Sequence, residues 1–295
     1  MAYDPQDSKV VLFGGQLGSP EGTTAAVNDT WVWAKSRWKR VHSFVAPPSR
    51  YESTMAYSPH SKAIILFGGT NTRRQSVFGD TWEWNGQWRQ LHPATSPPAR
   101  FNAQMALDSQ TGDDVLYGGV GGSPDGSTAK PLDDTWEWTG TDWVQLSPAT
   151  SPPPIFAGAM AWSTVGKSMV LFGTVPHKAG GITTQTWLWH GTSWTRWAGR
   201  PHPSRRITPS EASLGRKGVL LYGGLSLSRA VGTQRQTWLW GQDGWRRLRM
   251  RRSPGKIIGG AMAFSSRDHH VVLFGTTGKK RIDSSADDTW LLPVS

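Results

Sequence analysis

Eight histidines, three adjacent aspartate pairs and no cysteine are the raw material from which a catalytic or metal site would have to be built. Without a thiol, disulfides, thiolate metal ligands and cysteine nucleophiles are excluded. Asp113-Asp114, Asp133-Asp134 and Asp287-Asp288 are poor acid/base dyads, because neighbours in an extended chain point to opposite sides. Glu83 and Glu137 are the isolated acids of most interest, and an exposed position at the solvent or a strand edge is expected for both. Spacing assigns no Ser-His-Asp arrangement. The histidines are scattered, so neither a metal site nor a cofactor is read from them. The cations carry a stronger signal. Residues 196–281 hold 18 Lys/Arg against 3 Asp/Glu, whereas residues 1–195 hold 14 against 15. A local basic excess of that size suits an anionic partner.

The elements that would position these residues come from a repeat. Asp-Thr-Trp or Gln-Thr-Trp recurs with its tryptophan at Trp31, Trp82, Trp136, Trp187, Trp238 and Trp290, spaced by 51 to 54 residues. A Gly-Gly or Gly-Thr signal runs in phase, its first glycine at Gly14, Gly68, Gly118, Gly173, Gly223 and Gly275. The second copy shows the plan. A first strand covers Arg50 to Tyr57, and a second, continuous apolar strand, Ala63 to Phe67, stops at Gly68-Gly69. A third holds Trp82 and Trp84 on one face, and a tight turn at Asn85-Gly86-Gln87 leads to a fourth at Trp88 to Leu91. Such a unit cannot bury both faces of its sheet alone, so neighbouring copies must supply the core and the recurring tryptophans are structural. The reading is an all-β, six-bladed β-propeller with four antiparallel strands per blade. It forms one domain over residues 1–295, with repeats at 1–49, 50–99, 100–154, 155–204, 205–256 and 257–295. Met1-Ala2-Tyr3 aligns with Met55-Ala56-Tyr57, so the first blade is entered inside its first strand, and the last blade is expected to have three strands. No basic-then-apolar leader and no apolar run long enough for a membrane helix is seen. Because the start lies inside a repeat, the compartment stays open.

Strands ending in Gly-Gly and followed in phase by a tryptophan resemble the kelch repeat, and the resemblance covers essentially the whole chain. The Asp-Thr-Trp-x-Trp and Pro-Ala-Thr-Ser-Pro-Pro forms look like those of bacterial kelch proteins. The resemblance implies a fold like the central domain of galactose oxidase. It also implies either a protein-interaction module or, as the alternative, a carbohydrate-binding or sugar-acid-modifying protein. Copper-radical oxidation by kelch-fold enzymes depends on a Cys-Tyr crosslink, which this chain cannot form.

In a four-stranded blade, the loops between strands two and three and the connections between blades emerge on one face, and here these segments vary most. The expected function is therefore a non-enzymatic module that binds an acidic protein segment, or another anionic ligand such as a charged glycan, on this loop face. Nucleic acid is not favoured, since no base-reading motif is present. Arg50, Arg100 and either Arg205 or Arg206 head first strands and are expected to rim a central opening, as similarly placed arginines do in kelch proteins that bind acidic peptides. Ile155 and Ile257 take that place in two other copies. Arg205, Arg206, Arg229, Arg235, Arg251, Arg252, Lys256, Lys279, Lys280 and Arg281 map to the loop face of blades four to six. Lys39, Arg40, Arg89, Arg196, Arg246 and Arg247 sit on fourth strands, where charge protects a sheet edge.

Overall fold

The computed structural model describes residues 1–18, 24–71, 76–122, 128–176, 181–226, 235–250, 253–255, 257, 259–275 and 289–293. The fold is a six-bladed β-propeller, with blades of four antiparallel strands and a last blade of three. Blade one comprises Ala2–Asp4, Lys9–Gly18, Thr24–Ala34 and Arg37–Val41. Blade two is Thr54–Ser58, Ala63–Phe67, Thr81–Trp84 and Trp88–Leu91, and blade three Gln104–Leu107, Asp114–Gly121, Lys130–Trp138 and Trp143–Leu146. Blade four runs Phe156–Ser163, Ser168–Pro176, Ile182–Trp189 and Trp194–Trp197. Blade five is Ser210–Ser213, Val219–Tyr222, Thr237–Gly241 and Gly244–Leu248; blade six is Ala261–Ser265, His270–Phe274 and Thr289–Pro293. Two compact units divide the chain, one built on blades one to three and one on blades four to six. No helix among the described residues is long and apolar enough to cross a membrane.

Each blade is closed by the physics of its own turns. In blades one, three and six the hairpin between strands one and two is held by a side-chain oxygen that accepts backbone N–H groups two or three residues on. Asp4 does this for Gln6 at 2.9 Å, Asp108 for Gln110 at 2.8 Å and Ser265 for Asp268 at 3.3 Å. In blade two, strand two, Ala63–Phe67, is apolar along its whole length and buried on both faces.

The core lies between blades. In the first unit, Val11, Phe13 and Val32 of blade one pack with Met55, Ile64, Leu66, Trp82, Trp84 and Trp88 of blade two. Ala56, Ile65 and Phe67 of blade two do the same with Met105, Leu116, Trp136, Trp138 and Trp143 of blade three. In the second unit, blades four and five share Ala161, Val170, Phe172, Leu221, Trp238, Trp240 and Trp245. Polar links cross the same seams. The indole N–H of Trp88 donates to Thr30 Oγ1 at 2.8 Å, that of Trp143 to Thr81 at 2.9 Å and that of Trp245 to Thr186 at 3.0 Å. At these three seams the threonine of the recurring tripeptide is therefore the acceptor for the fourth-strand tryptophan of the next blade.

The glycine pair serves that contact between blades. Gly68 has φ +67°, and a Cβ there would stand 2.5 Å from the carbonyl oxygen of Arg100, while the Gly69 N–H donates to that same oxygen at 2.8 Å. Blade four has Gly173-Thr174 instead, and there the Thr174 hydroxyl donates to the Arg206 carbonyl at 2.9 Å. The ladder also differs: the register shifts at the glycines in blades one and three but runs unbroken through Gly173 and Thr174.

One expectation about strand one is corrected. The stretch from Arg50 to Tyr57 is not a continuous strand; it breaks at Glu52, whose φ is +56°. Asn102, Ala157, Thr208 and Gly259 hold the same left-handed conformation at the matching places. Upstream of the break in blades two to five the chain makes a short pairing with the residues after the glycines, as Tyr51 does with Thr70 and Arg100–Phe101 with Val120 and Gly121. Backbone bonds join successive breaks, Asn102 N–H to the Glu52 carbonyl at 2.9 Å and Thr208 N–H to that of Ala157 at 3.0 Å.

Candidate functional site

The three first-strand arginines were the obvious candidates for a ligand rim, and the structure places them elsewhere. Arg50, Arg100 and Arg206 are each fully buried. Arg50 forms a two-pronged pair with Asp80, Nη1 to Oδ1 at 2.6 Å and Nη2 to Oδ2 at 2.8 Å. Its remaining donors go to the Pro48 carbonyl at 3.1 Å and the Gly68 carbonyl at 3.0 Å, and the Phe78 ring lies 4.0 Å from the guanidinium carbon. Arg100 repeats the arrangement on Asp134, Pro98 and Gly118. The break in strand one accompanies an inward turn of these side chains, so each guanidinium ties its inter-blade loop to its own strands two and three. This corrects the rim assignment for Arg50, Arg100 and Arg206.

The same geometry explains the first position of the recurring tripeptide. Asp80 also accepts the indole N–H of Trp82 at 2.6 Å, and Asp134 that of Trp136 at 2.7 Å. Burial pushes both carboxyls upward, but the hydrogen bonds and charge of Arg50 and Arg100 outweigh it and hold them below the ordinary value. In blade four the arginine is replaced by the buried Ile155 and the aspartate by Gln185, whose amide oxygen still accepts from Trp187 at 2.8 Å. Across blades two, three and four the two positions change together. Blades five and six break that pattern: the sixth copy has Ile257 with Asp288, and Arg206 faces Gln236 at 3.2 Å, with Ser204 and Gly223 as its other acceptors and no carboxylate among the described residues. Burial lowers its guanidinium to about 10. The sequence exchanges Arg/Asp for Ile/Gln together only between blades two, three and four; Arg206 with Gln236 and Ile257 with Asp288 do not follow, so the repeat by itself does not disclose the pairing.

Two members of the proposed basic set are described at the surface. Arg205 and Arg235 are exposed, and each adjoins a partner in the Arg206–Gln236 hydrogen bond, which brings their two loops together at one edge of blade five. The next inter-blade loop reaches the same end of strand two, where the Tyr222 hydroxyl bonds Ser253 at 2.9 Å and the Gly255 carbonyl at 2.7 Å. Arg229, Arg251, Arg252, Lys256, Lys279, Lys280 and Arg281 lie outside the described residues.

Ion pairing divides the chain. The pairs Lys9–Asp7, Arg40–Asp29, Arg50–Asp80, His60–Asp113, Arg89–Glu83 and Arg100–Asp134 all belong to blades one to three. Among the described residues, no ion pair is found in blades four to six. Register accounts for part of this: Arg89 stands opposite Glu83 in blade two, whereas the exposed Arg246 stands opposite Leu239 in blade five. Glu83 itself departs from expectation, since only 6% of it is exposed and the Arg89 guanidinium covers its carboxylate.

Of the recurring tryptophans, Trp82, Trp136, Trp187 and Trp238 are buried, while Trp31 and Trp290 are half-buried. Asp114 and Glu211 are acids whose burial the sequence did not signal. Asp114 is fully buried, and burial, then the charge of Asp113, pushes its carboxyl up to about 8. Glu211 is buried in the first strand of blade five. Among the described residues, no group of three or more His, Asp or Glu side chains is arranged to hold a metal. Comparison of the sequence with family models and with curated proteins returns no match.

Proposed function

We propose that this protein is a non-enzymatic, kelch-type interaction module that binds an acidic protein segment or another anionic ligand on the loop face of blades four to six. The observation that carries this reading is the uneven ion pairing. Lys9, Arg40, Arg50, Arg89 and Arg100 of the first three blades are paired with carboxylates, whereas the exposed Arg205 and Arg235 have none among the described residues, in a stretch with 18 basic and 3 acidic residues. Unmatched surface cations focus a field that a partner's carboxylates or sulfates can neutralise with counterion release. Arg229, Arg251, Arg252, Lys256, Lys279, Lys280 and Arg281 belong to the same proposed surface. The buried tryptophans are committed to inter-blade packing, which leaves electrostatics as the better-supported mode over aromatic sugar stacking.

Retention on heparin and on an acidic peptide tests the reading. Affinity is expected to fall at least about tenfold between about 50 and about 200 mM salt. Reversing Arg205, Arg235, Arg251, Arg252, Lys279 and Lys280 to glutamate abolishes it, while Lys35→Glu with Lys39→Glu leaves it nearly intact. Equal losses from both sets would reduce the effect to net charge. Salt-insensitive capture of neutral glycans would instead support the carbohydrate reading.

A further inference from the structure

The first strands carry a strict internal comparison. At the position opposite the second-strand leucine, blades two, three, four and six have methionine: Met55 faces Leu66, Met105 faces Leu116, Met160 faces Leu171 and Met262 faces Leu273. Blade five has Glu211 opposite Leu221. Leu221 belongs to the apolar seam with blade four, among Ala161, Val170, Phe172 and Trp238. Glu211 is 9% exposed, and neither carboxyl oxygen has a hydrogen-bond partner.

No cation faces it. Phe156–Ser163 and Ala261–Ser265, which pack against its strand, carry no titratable side chain. Val219–Tyr222 carries only Tyr222, whose hydroxyl is engaged by Ser253 and Gly255. Arg206, just upstream, is occupied by Ser204, Gly223 and Gln236. Arg216 and Lys217, on the short turn beside Phe156–Ser163, are exposed. A carboxylate cannot stay ionised in such a seam without a counterion or a donor, whereas a neutral carboxyl fills the volume of the methionine it replaces. Three residues upstream, Thr208 is a β-branched residue at φ +49°, its hydroxyl oxygen also buried without a partner, and its N–H makes the bond to Ala157 of blade four. The acid and the strain thus share one short segment.

We propose that Glu211 is a proton-operated latch: neutral, it seals the first strands of blades four and five together, and ionised, it must reach water, so the segment 206–213 lets go of blade four. Burial raises its carboxyl well above the ordinary value. The closed form therefore holds fully below the usual glutamate range and weakens as pH climbs toward the raised value.

Hydrogen exchange of segment 206–213 in the full chain, corrected for intrinsic base catalysis, measures the latch. In the parent protein, protection falls by up to about tenfold per pH unit above the ordinary glutamate range. In Glu211→Met, which restores the residue of the other blades, that dependence disappears. Glu211→Gln keeps the shape without the proton, gives the same flat profile and serves if the methionine variant fails to fold. The infrared carbonyl band of a protonated acid, present in the parent at neutral pH and missing in both variants, is the second readout. An unchanged pH profile in Glu211→Met and Glu211→Gln, or an ionised Glu211 at neutral pH, overturns the proposal.

Discussion

Arg50 and Asp80 show how one pair of side chains can carry a repeat. Arg50→Met leaves the half-buried Asp80 carboxylate without its cation and is expected to cost about 3–5 kcal/mol in urea unfolding. Arg50→Ile combined with Asp80→Gln installs the pair that blade four uses, and most of the loss should be recovered. That recovery separates charge compensation from simple packing, since either change alone leaves a mismatched partner. Asp80 and Asp134 sit below their ordinary value, so the stability they contribute is lost as pH falls through the acid range. Asp114 acts with the opposite sign. Its carboxyl is raised to about 8, so stability is full under acid conditions and declines by up to about tenfold in the folding equilibrium per pH unit as pH rises toward that value. Asp114→Ile, which copies Ile64 of blade two, should flatten that decline in unfolding midpoints measured between about pH 5 and 8. At this scale the sequence was only half legible. That Arg50, Arg100 and Arg206 recur in phase is plain, but whether a guanidinium points to solvent or inward depends on a backbone break that their own identity does not report.

Strands and turns were far more legible, because each is announced by a residue type that physics restricts. Gly68 is the clearest case: a side chain there meets the Arg100 carbonyl, so Gly68→Ala should lower stability by about 1–3 kcal/mol. Gly86→Ala is the matched control. It also has a positive φ, +103°, but a Cβ would find nothing within 4 Å, and a smaller loss is expected. The Thr81–Trp143 link makes a second test. Thr81→Val removes the acceptor and leaves a buried indole N–H unpaired, at about 1–3 kcal/mol in thermal or urea unfolding, whereas Thr81→Ser retains the oxygen and should stay near the parent. The break in strand one shows why the rest stayed hidden. Its left-handed residue is Glu52, Ala157 or Thr208 in three blades, and only Gly259 and, more weakly, Asn102 are of types that advertise a positive φ. Neighbouring blades impose the conformation through backbone bonds, and tertiary constraint of that kind leaves no mark on composition.

Across the whole chain, blade count and the three-stranded last blade were readable from two in-phase markers, whereas the separation of matched from unmatched charge needed the register of each hairpin. That separation predicts different responses to salt. In blades four to six, screening relieves repulsion among Arg196, Arg205, Arg235, Arg246, Arg247 and Arg249, so hydrogen-exchange protection there should rise as sodium chloride is increased. Blades one to three, where the fully buried Arg50 and Arg100 are already paired, should change little over the same range. Uniform responses would mean that the charge imbalance has no energetic weight. The bonds from Trp88 to Thr30, Trp143 to Thr81 and Trp245 to Thr186 have a further property, which is direction along the chain. The donor always belongs to the later blade and the acceptor to the one before it, some 60 residues upstream. On a translating ribosome, each threonine has therefore already emerged when its tryptophan appears, so these blades can dock in the order in which they are made, and an earlier blade never waits for a distant partner still to be synthesised.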